Sequence, residues 1–509
     1  MSETGKNSRQ MRMGVLLNYI YIFAANLSAV FIVSWLVGSM SESAYGVFVI
    51  AFSVSTYFIM AEFGIGNFVI RYVSKYRLTD DRGAEKKMLY NAALTYIVVG
   101  GFTMLALFMF YACFGMIFKA LTAAELDMLK SFMLVVIIGT LLQFAQNYFY
   151  SILMGYERFI FTRIVNIIRL VLRIAMLWII CAFRMGGIYV LITDAALTAL
   201  TTLALYIYIR VSLKIRFGRT ALDRALVKKF MRLGSYVYLA YIIENLFANL
   251  GSLLVGATTG ADEAGVFYIA VTFSTVFLQL SNTVVAFSLP RITALSMTGD
   301  EVELTRGIAA PGRIQAGILL LLFIGFAAIG DILLPMWLGP AFSGAYLPAL
   351  VLMGAMCLYL CFATGDVVLQ AKNLHGRRMA ISVVSVTVSL LVSLLCLKYL
   401  QTGIVGAAIG FAAGAVCGKF LLALYFYVKC GVCLGAYMRK VVLPMIPVAA
   451  ITSVCAILCR YCSPSQGIVP IVVIPLVITV CYAVCVWFFC LDRAEKDMVK
   501  NTVYTRKIK

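Results

Sequence analysis

The chain has 509 residues, of which 63% are hydrophobic and 13% are charged, whereas soluble globular proteins are about half apolar and about one quarter charged. So few charges cannot cover several soluble domains, so the composition predicts an all-α polytopic membrane protein. The net charge of +20 would suggest nucleic acid in a soluble protein. Basic cytoplasmic loops account for it here, and we expect no nucleic-acid partner.

A helix needs about 20 apolar residues to cross the hydrocarbon core of a bilayer. Fourteen runs meet this length, and the first is too long for a cleaved signal peptide. Most of the fourteen cysteines lie inside such runs as small apolar residues, so we expect neither a disulfide framework nor a metal site. The predicted spans are 15–38, 46–70, 89–117, 131–153, 164–183, 187–209, 235–257, 264–289, 314–336, 346–369, 379–400, 403–428, 441–458 and 468–490.

The basic residues orient these spans. With the N-terminus placed in the cytoplasm, 34 Lys and Arg residues fall in inner segments and 5 in outer segments. This asymmetry agrees with the positive-inside rule, and the even number of spans places both termini in the cytoplasm. The segments between spans are short, and the longest runs over 210–234. They leave little room for a catalytic domain.

The first twelve spans contain an internal repeat at an offset of about 219–220 residues. The sequence Tyr45-Gly46-Val47-Phe48 returns as Ala264-Gly265-Val266-Phe267, and Arg71 returns as Arg291. The repeated unit has six spans, so both copies begin on the same side, as in parallel-repeat transporters. We predict two pseudo-symmetric six-helix lobes around a central cleft. The predicted division is 1–219 for the N-lobe, 220–438 for the C-lobe, 439–490 for spans 13 and 14, and 491–509 for a basic cytoplasmic tail.

The chain resembles the oligosaccharide flippase (polysaccharide biosynthesis, Wzx-type) family of the MATE-like, or MOP, exporter superfamily. Each motif that carries the resemblance has a structural reason, and none is a catalytic signature. At the position of Glu62, which begins one of these motifs, the family more often has Asp. The motifs are Ser41-Glu42-Ser43-Ala44-Tyr45-Gly46, Glu62-Phe63-Gly64-Ile65-Gly66 followed by Arg71, Gly155-Tyr156-Glu157-Arg158-Phe159, and Trp337-Leu338-Gly339.

The resemblance implies a substrate class and a location. The substrate would be an oligosaccharide linked to undecaprenyl diphosphate, moved from the inner to the outer leaflet of a bacterial plasma membrane. Lipid-linked oligosaccharide and membrane lipids are then the expected partners. The chain contains both lobes, so a monomer suffices, and association with polysaccharide assembly enzymes is a further expectation.

Charged residues inside the predicted spans are candidate functional residues, because burying a charge in the bilayer is costly. Arg169, Arg173 and Lys419 are expected to bind the diphosphate, since guanidinium and ammonium groups donate charge-assisted hydrogen bonds to phosphate. Two alternatives stay open: Arg173 forms a structural ion pair with Asp194, or Arg169 extends to the cytoplasmic interface.

Three acids are candidates for ion coupling. Glu62, Glu244 and Asp366 lie in different spans, and a buried carboxylate can take up a proton or bind Na⁺. Coupling to protons, to sodium or to the membrane potential stays open, and we expect no cofactor. For Glu62 the alternative is a structural role in positioning the segment before Arg71.

Uncharged polar residues line two spans at helical spacing. Such faces can contact sugar hydroxyl groups, but they can equally hydrogen-bond neighbouring helices. These sugar-facing candidates are Gln143, Gln146, Asn147, Tyr150, Asn245 and Asn249.

Three functions compete on this sequence. The first is a lipid-linked oligosaccharide flippase. The second is a MATE-type multidrug or cation antiporter, which needs an acid-rich lobe and has less use for the three cations Arg169, Arg173 and Lys419. The third is a membrane enzyme such as a sugar polymerase. The short outer loops argue against it, so we expect a transporter and not an enzyme.

Overall fold

The computed structural model describes most of the helical core of the chain. Side chains at several helical positions, including Asp366 and His375, are outside the description. The described residues are 17, 21, 24, 25, 28, 31–59, 62, 64–79, 81–215, 217–224, 227, 250–298, 301–371, 374–425, 433–462 and 468–490.

All regular structure in these residues is helical. We number the helices whose two ends are both described. The helices before residue 265 are α1 (Glu42–Ile59), α2 (Ile65–Thr79), α3 (Arg82–Ala112), α4 (Phe114–Ile117), α5 (Ala123–Gly155), α6 (Phe159–Ala182) and α7 (Gly187–Val211). The later ones are α8 (Ala261–Thr298), α9 (Glu301–Leu338), α10 (Tyr346–Leu360), α11 (Ala363–Ala371), α12 (His375–Lys398), α13 (Gly403–Tyr425), α14 (Leu434–Val441), α15 (Met445–Cys462) and α16 (Ile468–Phe489).

Within the described residues, twelve helical segments are long and apolar enough to cross a membrane. Each coincides with a predicted span. The two predicted spans without a counterpart, 15–38 and 235–257, are described only in part. The chain is therefore an all-α, multi-pass membrane protein, and the total of fourteen spans stays a prediction.

The boundary between α8 and α9 differs from the sequence prediction. The loop predicted over 290–313 is wrong, because α8 continues to Thr298 and α9 begins at Glu301. Each of these helices has 38 residues, or about 57 Å at 1.5 Å per residue, far more than the roughly 30 Å of the hydrocarbon core. Hydropathy marks only the part of a helix inside the membrane, so the polar extension was assigned to a loop.

The chain forms two compact units, divided between Gly265 and Val266. This boundary is later than the end of the first sequence repeat, because residues 250–265 pack against α1. Gly46 of α1 lies so close to the backbone of Ala261 that any Cβ at Gly46 would overlap it, and Gly256 packs on Ile50. The glycines permit two helix backbones to approach closely.

The Gly155-Tyr156-Glu157-Arg158 motif connects three helices at the predicted cytoplasmic side of the first unit. The Tyr156 hydroxyl donates to the buried Glu85 carboxylate, while Glu157 pairs with Arg77 at 3.0 Å. Burial and this hydrogen bond to Glu85 raise the pKa of Tyr156 above its ordinary value. Gly155 is required because a Cβ there would lie 2.7 Å from the side chain of Val73.

The segment after α7 is fixed to the first unit. Buried Asn91 of α3 donates to the carbonyl of Ala221 at 3.3 Å and accepts from the Asp223 amide at 2.8 Å. Lys87 also pairs with the Asp223 carboxylate at 2.9 Å. The Asn91 amide thus pairs with this segment's backbone as a neighbouring strand would. Ile215, which belongs to the segment, is buried in the hydrophobic core of the first unit.

In the second unit, α15 and α16 pack against α9. The Tyr482 hydroxyl donates to the carbonyl of Gly317 at 2.7 Å, and Arg460 pairs with Asp331 at 2.7 Å. Ile474 and Ile478 are fully buried in the same contact. The last two spans therefore share a hydrophobic core with the second unit.

Replacing Asn91 by Ala is expected to release the segment 212–224. The variant removes two hydrogen bonds to the backbone of this segment, each worth about 0.5–1.5 kcal/mol, so unfolding should become easier by about 1–3 kcal/mol. Lys87→Ala, which removes only a half-exposed ion pair, should cost less than about 1 kcal/mol. Thermal unfolding in detergent and protease cleavage within 212–224 measure both effects. Equal effects of the two variants would contradict the role given to Asn91.

Candidate functional site

The predicted second span, 46–70, is divided into two helices near its middle. Helix α1 ends at Ile59 and α2 begins at Ile65. Gly64 lies between them at φ +66°, a left-handed conformation that glycine adopts without strain. The break exposes the first amide groups of α2, which need hydrogen-bond acceptors in a region without water.

Glu62 supplies such an acceptor. Its Oε1 atom accepts from the Gly66 amide at 3.2 Å and from the Tyr96 hydroxyl, and its Oε2 atom accepts from Asn147 Nδ2 at 2.6 Å. A carboxylate at a helix N-terminus is also favoured by the helix dipole. The structural alternative considered for Glu62, positioning of the following segment, agrees with this geometry.

The polar residues of α5 divide between two neighbouring sites. Gln143 Nε2 donates to Asn147 Oδ1 at 3.0 Å, which orients the Asn147 amide toward Glu62. Gln146 is buried and accepts from Arg169 at 3.2 Å. Gln143 thus binds a residue of its own helix, Asn147 binds Glu62 at the helix break, and Gln146 binds Arg169 of α6. Contact of these residues with sugar stays a prediction.

Arg169 lies near the middle of α6 and has neutral partners. One terminal nitrogen donates to Gln146 Oε1 at 3.2 Å and the other to Thr198 Oγ1 at 2.8 Å. Thr198 in turn donates to the backbone carbonyl of Asp194 at 2.7 Å. Two of the five guanidinium N–H groups are used in these bonds, so Arg169 retains donors for a ligand.

Arg173, one turn further along α6, is paired. Its Nε donates to Asp194 Oδ1 at 2.7 Å and one terminal nitrogen to Oδ2 at 2.9 Å. The side chains are 31% and 27% exposed, so both charges lie mostly within protein. The ion-pair alternative for Arg173 therefore describes its geometry, and Asp194 occupies the bidentate edge that a diphosphate would need.

Sequence analysis missed Arg163, which it assigned to a cytoplasmic loop. The structure places it inside α6, in the first turns of the helix. The signal that could have found Arg163 is its spacing: Asn166 lies three residues from Arg163 and three from Arg169.

The other candidates belong to the second unit or lie outside the description. Lys419 of α13 is buried, with its Nζ 4.2 Å from the ring centre of Tyr359, and an aromatic face is a favourable neighbour for a buried cation. Asp366 lies on α11, but its side chain is outside the described part, as are Glu244, Asn245 and Asn249 entirely. Their functions stay predictions.

The repeat counterparts of Arg169 and Arg173 are Ser389 and Ser393 on α12. Both are fully buried against α13, and Ser393 donates to the carbonyl of Ala407 at 3.1 Å. The facing glycines Gly410 and Gly414 approach so closely that a Cβ on either would overlap these serines. The second unit therefore packs this helix pair with small residues, where the first unit has arginines.

Comparison with known proteins places the chain in a family. The family described as "Polysaccharide biosynthesis protein" matches residues 14–296, more than half of the chain. The chain belongs to this family, and the predicted resemblance to the polysaccharide biosynthesis family is confirmed.

Two solved structures share the fold. A lipid II flippase MurJ structure in an inward closed conformation has a TM-score of 0.69 at 12% identity, covering 92% of this chain and 98% of that chain. An inward-facing multidrug resistance MATE family transporter of the MOP superfamily has a TM-score of 0.64 at 14% identity, with 81% and 95% coverage. The fold is thus that of membrane transporters.

One curated relative is similar in sequence. The probable flippase AglR of Haloferax volcanii is 25% identical over 192 residues, which are 36% of this chain and 39% of the relative. The chain therefore aligns with well under half of that relative's length.

Two substitutions test the break at Glu62. Glu62→Gln puts an amide where three donors converge, and Gly66→Ala puts a Cβ 2.6 Å from Ser151 Oγ and 2.8 Å from Glu62 Oε1. Each should destabilise the protein by about 1–3 kcal/mol, measured by thermal unfolding in detergent. Gly101→Ala is the control, since nothing lies within 4 Å of its Cβ. Wild-type stability of both test variants would show that Glu62 is not needed to form the break.

The packing of α12 on α13 predicts an asymmetric tolerance. Ser389→Ala and Ser393→Ala should cost at most about 0.6 kcal/mol each, the typical value of a hydrogen bond between membrane helices. Gly414→Val should prevent accumulation of folded protein, because its side chain overlaps Ser389. Membrane protein level and size-exclusion profile measure this, and a well-folded Gly414→Val variant would refute the packing.

Proposed function

We propose that the protein is a flippase that moves a polyprenyl-diphosphate-linked oligosaccharide from the inner to the outer leaflet by alternating access. The family and the fold support a transporter of this kind. The observation that carries the substrate class is Arg169, a half-buried cation inside the membrane whose hydrogen-bond partners are neutral. A guanidinium group at that depth with no carboxylate among its hydrogen-bond partners is costly unless an anion or water shares its environment.

A diphosphate fits this site better than a sugar or a hydrophobic cation does. Guanidinium donates two parallel hydrogen bonds to phosphate oxygens, and the low dielectric of the membrane strengthens them. Two of the candidates for sugar contacts, Asn147 and Gln146, already bind Glu62 and Arg169. We therefore propose that this site recognises the head group at its diphosphate and leaves sugar selection to other residues.

A MATE-type cation antiporter is the second candidate. One observation favours it: a carboxylate, Glu62, lies at a helix break in the first unit. Its two oxygens already accept three hydrogen bonds, which makes it a weaker cation ligand. Assignment of Glu62, Glu244 and Asp366 to ion coupling by H⁺, Na⁺ or membrane potential stays a prediction.

The remaining parts of the proposal follow from the family. We place the protein in a bacterial plasma membrane with both termini in the cytoplasm, acting as a monomer in association with polysaccharide assembly enzymes. The basic inner segments support this orientation, since it leaves 5 of the Lys and Arg residues in outer segments against 34 inside.

Transport of a fluorescent lipid-linked oligosaccharide into the opposite leaflet of proteoliposomes tests the function. The wild-type protein should move the lipid, and Arg169→Ala should reduce the rate at least about tenfold, as expected for loss of a charge-assisted contact. Arg169→Lys should restore little, because ammonium cannot form the bidentate contact. Ser389→Ala is the matched control at the repeat-related position.

Two outcomes would contradict the proposal. Full transport by a folded Arg169→Ala variant would exclude this site as the diphosphate site. Export of cationic dyes with no movement of lipid-linked sugar would favour the antiporter instead.

A further inference from the structure

Helix α6 carries an arginine ladder, which we define as Arg163, Arg169 and Arg173. Counted from Phe159 at the predicted cytoplasmic end, they lie about 6, 15 and 21 Å along the helix. Arg169 and Arg173 share one face with Asn166, and Arg163 lies beside it. The ladder therefore extends from the inner surface to beyond the middle of a hydrocarbon core of about 30 Å.

The opposite face of α6 is apolar and exposed. Ile168 is 53% exposed and Trp178 is 60% exposed, as expected for side chains that face lipid. The arginines thus point away from the lipid-facing side, toward α5 and α7, where Arg169 and Arg173 find their partners.

The three arginines differ in charge compensation. Arg173 is neutralised by Asp194 through two hydrogen bonds. Arg169 binds only an amide and a hydroxyl oxygen. Arg163 has no carboxylate partner among the described residues. The net charge along the ladder is therefore positive at its inner two steps and close to zero at its outer step.

The fold itself does not require these cations. The repeat-related helix α12 carries Val383, Ser389 and Ser393 at the corresponding positions, and it has no charged residue between Arg378 and Lys398. It is nevertheless a regular helix packed closely on α13. A helix at this place in the repeat can thus pack without any arginine.

We propose that the ladder is a path for an anionic diphosphate head group, with a capture site at Arg163. This inference rests on the proposed function and deepens it. Arg163 receives the head group at the inner side, since its guanidinium group lies near the inner end of α6 and donates charge-assisted hydrogen bonds to phosphate oxygens. Arg169 is the second step.

Asp194 is a positioning residue at the outer end of the ladder. While Asp194 is bound to Arg173, that arginine cannot bind an anion, and the negative charge of Asp194 repels a phosphate. Onward movement requires the diphosphate to displace Asp194 from Arg173. The pair therefore sets how far the head group can travel before the ion pair opens.

Binding of farnesyl diphosphate to the purified full-length protein tests this inference. Arg163→Gln and Arg169→Gln should each weaken binding about tenfold, the loss expected for one charge-assisted contact. Arg163→Lys should recover only part of the affinity. Arg210→Gln, at an exposed arginine of α7 near the same predicted surface, is the matched control and should stay within about twofold, since exposed charges contribute little.

Asp194→Asn separates a positioning role from a structural one. It frees Arg173, so farnesyl diphosphate should bind more tightly, by about tenfold, while transport slows because the head group is retained. If Asp194→Asn weakens binding although its unfolding temperature matches wild type, the role given to Asp194 is wrong.

Competition experiments identify the source of the phosphate, and the combined results distinguish the arginine ladder from the proposed flippase function. Inorganic pyrophosphate should compete with farnesyl diphosphate, whereas phosphatidylglycerol vesicles should not; equal competition by the vesicles would make Arg163 an ordinary membrane-surface arginine. If wild-type protein moves lipid-linked sugar but Arg163→Gln binds normally, the capture site is refuted and the proposed function stands. If the binding pattern holds without transport of lipid-linked sugar, the ladder stands and the proposed function fails.

Discussion

A polar group inside the hydrocarbon core must find its hydrogen-bond partners within the protein, because no bulk water is present there. This constraint explains the arrangement of the first unit. The break between α1 and α2 exposes backbone amides, and Glu62 accepts from one of them. The carboxylate in turn needs donors, and Tyr96 and Asn147 provide them. One irregular turn thus determines polar residues on two further helices, α3 and α5.

The same constraint separates the two arginines of α6. Arg173 finds a carboxylate at hydrogen-bond distance, whereas Arg169 finds only neutral oxygens. Each arginine makes two hydrogen bonds, but only Arg173 has a carboxylate as its partner. The difference of one unit charge over a single helical turn is what makes Arg169 the better candidate for an anionic ligand.

The two units build related helix pairs by different means. In the second unit Ser389 and Ser393 lie against Gly414 and Gly410, so the backbones approach closely and the interface contains no charge. In the first unit Arg169 and Arg173 bind across to α7 through Thr198 and Asp194. A glycine–serine contact has no spare donors for a ligand, whereas the arginine contact retains some. At this helix pair, the repeat therefore combines one architecture with a polar contact in the first unit and a glycine–serine contact in the second.

The sequence by itself determined the membrane class, the all-helical fold and the places of twelve spans, because a long apolar run has no stable alternative to a membrane helix. It also determined that Glu62, Arg169 and Arg173 are unusual, because charge inside such a run is costly. Only the tertiary structure decided which partner each charge has. Asp194 binds Arg173, and Gln146 binds Arg169. Asn147, the neighbour of Gln146, binds Glu62. Helical spacing defines which residues share a face, but the neighbouring helices decide what that face meets. Hydropathy does not predict the break at Gly64, because the break depends on hydrogen bonds to Glu62. It does not predict the inclusion of Arg163 in α6 either, because it marks only the apolar part of a helix.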